Sequence, residues 1–298
     1  MQQKIKTSNY WCAGFTLVLI LLTGMRAPAQ QTPFKVFAHR GFRGLHPENT
    51  ICGLQKALTY GAVLEFDLAI TRDKQVVVSH DAVLNPKITQ GPDGQALGKN
   101  KIRIYEMDYA TLQAYDVGKT PNKDFPEQER YPARIPLFGE LVDSVKAFAA
   151  ARGLHDPTYF VETKITPETD GINHPGPKEF VELMMQVIQE KGIQKQVIVQ
   201  SFDPRTLQIL RKAYPQIKLA LLAKDSTSFT DNIKNLGFVP EYYSINAPFI
   251  DRELVDQCHQ FKTELIIGNC DDDEEILRLG KLGVHSVISD FPLKWSSK

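Results

Sequence analysis

Short apolar runs alternate with helix-spaced segments along nearly the whole chain, and this rhythm restricts the fold more than any other feature. The runs occupy residues 35–38, 63–70, 76–79, 159–163, 197–201, 218–223, 242–246, 264–268 and 286–289. Between most of them, apolar residues recur every three or four positions. Residues 49–60 carry Ile51, Leu54, Ala57 and Leu58 on one face, and residues 138–150 carry Leu141, Val142, Val145 and Phe148. The segments 180–189, 205–213, 253–261 and 273–282 follow suit. Strand and helix repeated about eight times predict a parallel sheet with helices outside it. Eight units in roughly 260 residues suit an α/β chain closed into a TIM-type (β/α)8 barrel. A doubly wound sheet is the alternative, but no G-x-G-x-x-G follows a strand.

Two stretches break the rhythm. Residues 82–134 are rich in Pro, Gly, Asn and charge, with one helical piece near 105–115. That is too long for an ordinary loop, so it reads as an insertion after the second strand, packed over the barrel mouth. The first 29 residues read as an export signal. Lys4 and Lys6 precede an apolar run over 11–22, and Ala27-Pro28-Ala29 offers a small-x-small cleavage site. A membrane anchor is the rival reading, but the run is short for a bilayer span. Cys12 lacks the preceding Leu-x-x of a lipidation site. Residues 30–298 would then form one domain, periplasmic or secreted.

Cleavage after Ala29 leaves 32 basic and 35 acidic residues, a net charge near −3. No electrostatic argument then favours nucleic acid as a partner. Three cysteines would remain, Cys52, Cys258 and Cys270. A Cys258–Cys270 bridge is conceivable, but buried free thiols are the preferred expectation.

Barrel active sites form where strands end, and here the strand ends are polar. They read His39-Arg40-Gly41, Glu65-Phe66-Asp67, His80-Asp81, Glu162-Thr163-Lys164, Gln200-Ser201-Phe202, Asn246, Asn269 and Asp290. Glu65 and Asp67 are two apart on a strand and share one face, the barrel interior. Two such carboxylates are costly there unless a cation offsets them or one stays protonated. Pairing with Lys164 and Arg40 is one solution. With Glu162 as a third acid and no cysteine nearby, a hard oxygen site for Ca²⁺ or Mg²⁺ is the other. His39 and His80 can exchange protons near neutrality. Arg40 and Lys164 can hold an anion. Cation, two basic side chains and two histidines together suit cleavage of a phosphodiester.

The motifs His39-Arg40-Gly41, Pro47-Glu48-Asn49-Thr50, Glu65-Phe66-Asp67, Thr71-Arg72-Asp73 and His80-Asp81 resemble, in order and spacing, the glycerophosphodiester phosphodiesterase family. Glu162-Thr163-Lys164, Gln200-Ser201-Phe202 and Ser289-Asp290-Phe291-Pro292 extend the resemblance more weakly. The resemblance implies a TIM-type barrel with an insertion and one divalent cation on Glu65, Asp67 and Glu162. It implies His39 and His80 as the acid–base pair, phosphate contacts from Arg40 and Lys164, and a metal or substrate contact from Asn49. Gln200 and Asn269 join the candidate substrate contacts. The implied reaction yields glycerol 3-phosphate and an alcohol. The family commonly has a tryptophan near the site on its seventh strand, whereas residues 265–270 here read Leu-Ile-Ile-Gly-Asn-Cys. Cleavage of lysophospholipids is an alternative, with Phe125, Tyr131 and Phe138 as its apolar support. A non-catalytic barrel that binds a phosphorylated ligand is another.

Overall fold

The computed structural model describes residues 34–98, 101–224 and 227–294. The proposed signal segment lies outside them. Eight parallel strands form the barrel: β1 (Lys35–Ala38), β2 (Val63–Ile70), β4 (Tyr159–Thr163), β5 (Val197–Ser201), β6 (Lys218–Leu222), β7 (Tyr242–Ile245), β8 (Glu264–Ile267) and β9 (Ser286–Ser289). Each pairs with the next, and β1 pairs with both β2 and β9, which closes the ring. The helices α1 (Ile51–Leu58), α3 (Phe138–Arg152), α4 (Pro177–Glu190), α5 (Pro204–Ala213), α6 (Phe229–Leu236), α7 (Arg252–Phe261) and α8 (Asp273–Lys281) lie between strands in sequence. Their buried faces join the outward faces of the strands in one core.

Strand alternation sets up the site. Phe37, Val63, Phe160, Ile198, Ala220, Tyr242, Ile266 and Ile288 come one from each barrel strand and form a separate apolar cluster, the plug inside the ring. Phe160 anchors it, edge-on to Phe37 at 4.7 Å and to Tyr242 at 6.5 Å. Two residues further along, the same face presents His39, Glu65, Glu162, Gln200, Leu222, Ser244, Gly268 and Asp290. An apolar floor is therefore followed, one layer up, by a mostly polar ring at the C-terminal mouth.

One strand departs from the expected pattern. The run at 76–79 is not a barrel strand: β3 (Val76–Val78) pairs antiparallel with the far end of β2, Leu68 opposite Val78 and Ile70 opposite Val76. The insertion follows this hairpin and packs on it through a small core of its own, including Leu84, Ile104, Leu112 and Val117. Its regular structure is slight, a 3₁₀ turn at Ile104–Glu106 and a short α2 (Tyr109–Leu112). Cys52, Cys258 and Cys270 are all free thiols.

The turn after β1 aims the first motif at the mouth. Arg40, Gly41 and Phe42 all have positive φ, at 50°, 80° and 59°. A Cβ at Gly41 would lie 2.9 Å from the backbone nitrogen of Leu54, inside α1. Gly41→Ala is expected to destabilise the fold by about 2 kcal/mol or more, the sum of a left-handed backbone and a backbone clash. A drop in midpoint during denaturant unfolding checks it.

Candidate active site

The three carboxylates converge as the strand pattern requires. Glu65, Asp67 and Glu162 are buried, and each offers an oxygen within 4.8 Å of the others'. Glu65 is clamped: Oε2 accepts the Arg40 backbone N–H at 2.7 Å, and Oε1 accepts from Gln200 Nε2 at 2.7 Å. Asp67 Oδ2 accepts from Asn49 Nδ2 at 3.0 Å and lies 3.6 Å from Arg40 Nε. Lys164 Nζ is 2.9 Å from Glu162 Oε1 and 3.9 Å from Asp67 Oδ1. The ion pairs expected as an alternative to a cation therefore exist, and they do not saturate the cluster. Asp67 Oδ1 is buried with no hydrogen-bond partner.

The charges divide unequally. Burial, and next the Asp67 carboxylate, push Glu65 well above the usual carboxylate range. Burial likewise raises Glu162 to about 7, against the opposing pull of Lys164. For Asp67, burial is outweighed by His80, Arg40 and Lys164, which hold it below the usual range. An all-oxygen donor set with an orphaned oxygen and two acids strained toward protonation fits a hard divalent cation.

Each histidine leans on an aspartate. His39 Nδ1 is 2.5 Å from Asp290 Oδ1, which also accepts from Arg43 Nε at 2.8 Å. Although burial opposes it, those two bonds hold Asp290 down at about 2, so it is ionised and His39 Nδ1 must donate. Nε2 is then the exchangeable nitrogen. Burial, helped by the Arg40 and Arg43 charges, lowers the His39 pKa against the pull of Asp290, which favours the neutral ring. Asn269 Nδ2 sits 3.2 Å from the same Nδ1. His80 Nδ1 is 2.8 Å from Asp81 Oδ1, and Lys164 Nζ donates to His80 Nε2 at 3.1 Å. His80 reaches the site from beyond β3: Ser79 N donates to Asp67 O, so the antiparallel register brings the following residue down beside the carboxylates.

His39, Arg40, Glu65, His80, Glu162, Lys164, Gln200 and Asn269 all line one cavity of about 220 Å³ at the barrel mouth. Asp67 and Asn49 do not; both are buried, and Asn49 steadies Asp67. Reading strand ends picked out Asp290 and Asp81 as polar groups but gave them no task. It passed over Glu48, whose two oxygens each accept from Arg40 Nη1 at 3.2 Å, and Arg43. Glu48 had a signal, its place in the Pro-Glu-Asn-Thr motif.

A model of the glycerophosphoryl diester phosphodiesterase family matches residues 39–294, a span containing every one of these side chains. The chain belongs to that family. It is accordingly a phosphoric diester hydrolase. A glycerophosphodiester phosphodiesterase of Bacillus altitudinis is 27% identical to it over 263 residues, covering 87% of this chain and 95% of the relative. A crystal structure from Silicibacter pomeroyi, named for the same family, superposes with a TM-score of 0.78 at 26% identity, covering 88% of this chain and 91% of the other. An Oleispira antarctica phosphodiesterase, solved with its product sn-glycerol-3-phosphate, shares the fold with a TM-score of 0.69 at 21% identity, over 87% and 93% of the two chains.

Proposed function

We propose that this family member hydrolyses glycerophosphodiesters to glycerol 3-phosphate and an alcohol, using one divalent cation, Ca²⁺ or Mg²⁺, and the His39–His80 pair. The observation that carries the reading is the single cavity lined by both histidines, Glu65 and Glu162, with Asp67 clustered against those two acids. Glu65, Asp67 and Glu162 would hold the cation, which when bound would polarise a phosphoryl oxygen and offset developing negative charge. Arg40 and Lys164 orient the phosphate by charge-assisted hydrogen bonds. Gln200 and Asn269, with Ser244 and Asn246 beside them, suit the glycerol hydroxyls. One histidine removes a proton from the attacking hydroxyl, of water or of the neighbouring glycerol carbon, and the other protonates the leaving alcohol oxygen. Asp290 and Asp81 hold the two rings in register.

Lysophospholipid cleavage is a second reading. Ile172, Phe202, Phe249 and Phe291 are exposed apolar residues on loops that follow barrel strands β4, β5, β7 and β9, on the face that carries the site. Phe138 and Phe125 suit this role less. Phe138 is fully buried in α3, and Phe125 packs edge-on to Phe291 at 5.9 Å. One assay separates the readings, with glycerophosphocholine and lysophosphatidylcholine offered in parallel and the choline freed from each read directly, the partner product being glycerol 3-phosphate from the first and lysophosphatidate from the second. Glycerol 3-phosphate is expected from the former and little turnover of the latter. Faster cleavage of lysolipid reverses the order, and a phosphorylated headgroup as product would sink both readings.

Export is part of the proposal, supported by the Lys4 and Lys6 start, the apolar run over 11–22 and the Ala27-Pro28-Ala29 site. Among the described residues no helix is long and apolar enough to cross a membrane.

A further inference from the structure

A second cavity, of about 710 Å³, opens under the insertion and shares Arg40 and His80 with the barrel cavity. The barrel cavity is the smaller and carries Glu65 and Glu162. A phosphorus atom held by Arg40 beside His80 therefore has one ester arm in each. On the functional reading above, glycerol 3-phosphate fills the barrel side, and the leaving alcohol lies under the insertion.

The lining of this second cavity states what that alcohol should be. Its carboxylates are all engaged: Glu48 with Arg40, Asp81 with His80, and Asp124 with Lys87 at 3.2 Å. Its aromatic ring, Phe125, already has the Arg43 guanidinium over it at 5.2 Å. A quaternary ammonium headgroup thus meets no free acid, and at Phe125 it meets a ring that already carries a guanidinium. Donors, by contrast, are in surplus. Asn85 Oδ1 accepts from Lys87 N at 3.0 Å, Asn122 Oδ1 from Asp124 N at 3.0 Å, and Asn173 Oδ1 from Arg103 Nε at 3.2 Å. Those three donors require the amide oxygen at each position, so each amide NH₂ is left to face other acceptors. Lys101, exposed on the wall, has no ion-pair or hydrogen-bond partner among the described residues.

We infer that the pocket under the insertion selects an oxygen-rich leaving alcohol, a polyol or a headgroup bearing its own phosphate, over choline-type cations, with Lys101 and the three asparagine amides as its donors. The test compares three substrates with the same glycerophosphoryl half: glycerophosphocholine, glycerophosphoglycerol and bis(glycerophospho)glycerol, the last with an anionic leaving group. The native enzyme should favour the anionic and polyol headgroups over choline in kcat/KM. Lys101→Glu should lower kcat/KM on the anionic substrate on the order of tenfold, mainly through KM, the scale of one charge-assisted hydrogen bond. The same variant should change the choline substrate less than about twofold. Preference of the native enzyme for choline, equal loss on all three substrates, or no loss on the anionic one overturns the assignment. Failure to release glycerol 3-phosphate from any of the three would instead remove the functional reading on which it rests.

Discussion

Alanine at His39 or at His80 is expected to cut kcat by about 10²–10⁴-fold, the usual contribution of a positioned acid or base. The melting temperature should stay within about 3 °C of the parent, because neither ring belongs to a core cluster and both face a polar cavity. The double variant should lose little more than the worse single one, since two groups that act in one step are not additive. Steady-state kinetics with saturating cation, alongside thermal melts, decide the matter, and parent-like turnover by either variant would remove its assignment. Asp290→Asn offers a finer readout. It should lower kcat by roughly 10–100-fold with KM little changed, as is usual for partners that orient an imidazole. Asp290 raises the His39 pKa through its hydrogen bond and charge. Removing it should shift the limb of the pH–rate profile governed by His39 to lower pH, whichever limb that is. A purely structural role would leave that limb in place.

Most of this site is legible in the sequence, for one physical reason. In a closed parallel barrel the residue two past the apolar plug faces the mouth, so polar residues at strand ends identify themselves. His39, Glu65, Glu162 and Gln200 follow Phe37, Val63, Phe160 and Ile198 in this way. His80 also stands at the end of an apolar run, but that run is the antiparallel partner of β2 and not a barrel strand. The gap between 70 and 76 was the missed signal, because a parallel crossover needs a dozen or more residues and five can only turn a hairpin. The pairing of His39 with Asp290 spans 251 positions and is decided by ring closure, which no local pattern encodes. The insertion was legible as an interruption and little more. Leu84, Ile104, Leu112 and Val117 form its core at spacings with neither a period of two nor of 3.6. Its pocket, made of asparagine amides oriented by two backbone N–H groups and the Arg103 guanidinium, emerges only from the folded chain.

Stripping the cation with a chelator should abolish activity, and Ca²⁺ or Mg²⁺ should restore it. It should also leave a pH signature in stability that does not depend on turnover. Without a cation, the Glu162 carboxyl titrates near 7 in the folded chain against an ordinary 4.5, and Glu65 is displaced in the same direction. A raised carboxyl pKa means the folded state holds the proton more tightly than the unfolded one. The stability this supplies is complete below about pH 4.5 and is lost as pH rises through 7. Asp67, held low, is ionised in folded and unfolded chains alike over that window and adds no slope. His39 and His46, whose pKa values are lowered chiefly by burial, add the opposite slope below about 6.5, so the stripped protein should melt progressively lower from about pH 6.5 to about pH 8. A cation reverses the trend, because it binds the deprotonated carboxylates and competes with the protons. At a hundredfold excess over Kd it adds about 2.7 kcal/mol, or about 5–10 °C for a domain of this size. The gain should be larger at about pH 8 than at about pH 5. Chelator-resistant activity would end the cation assignment. A melting temperature insensitive to both cations at about pH 8 would show that Lys164 and Arg40 alone satisfy the three acids.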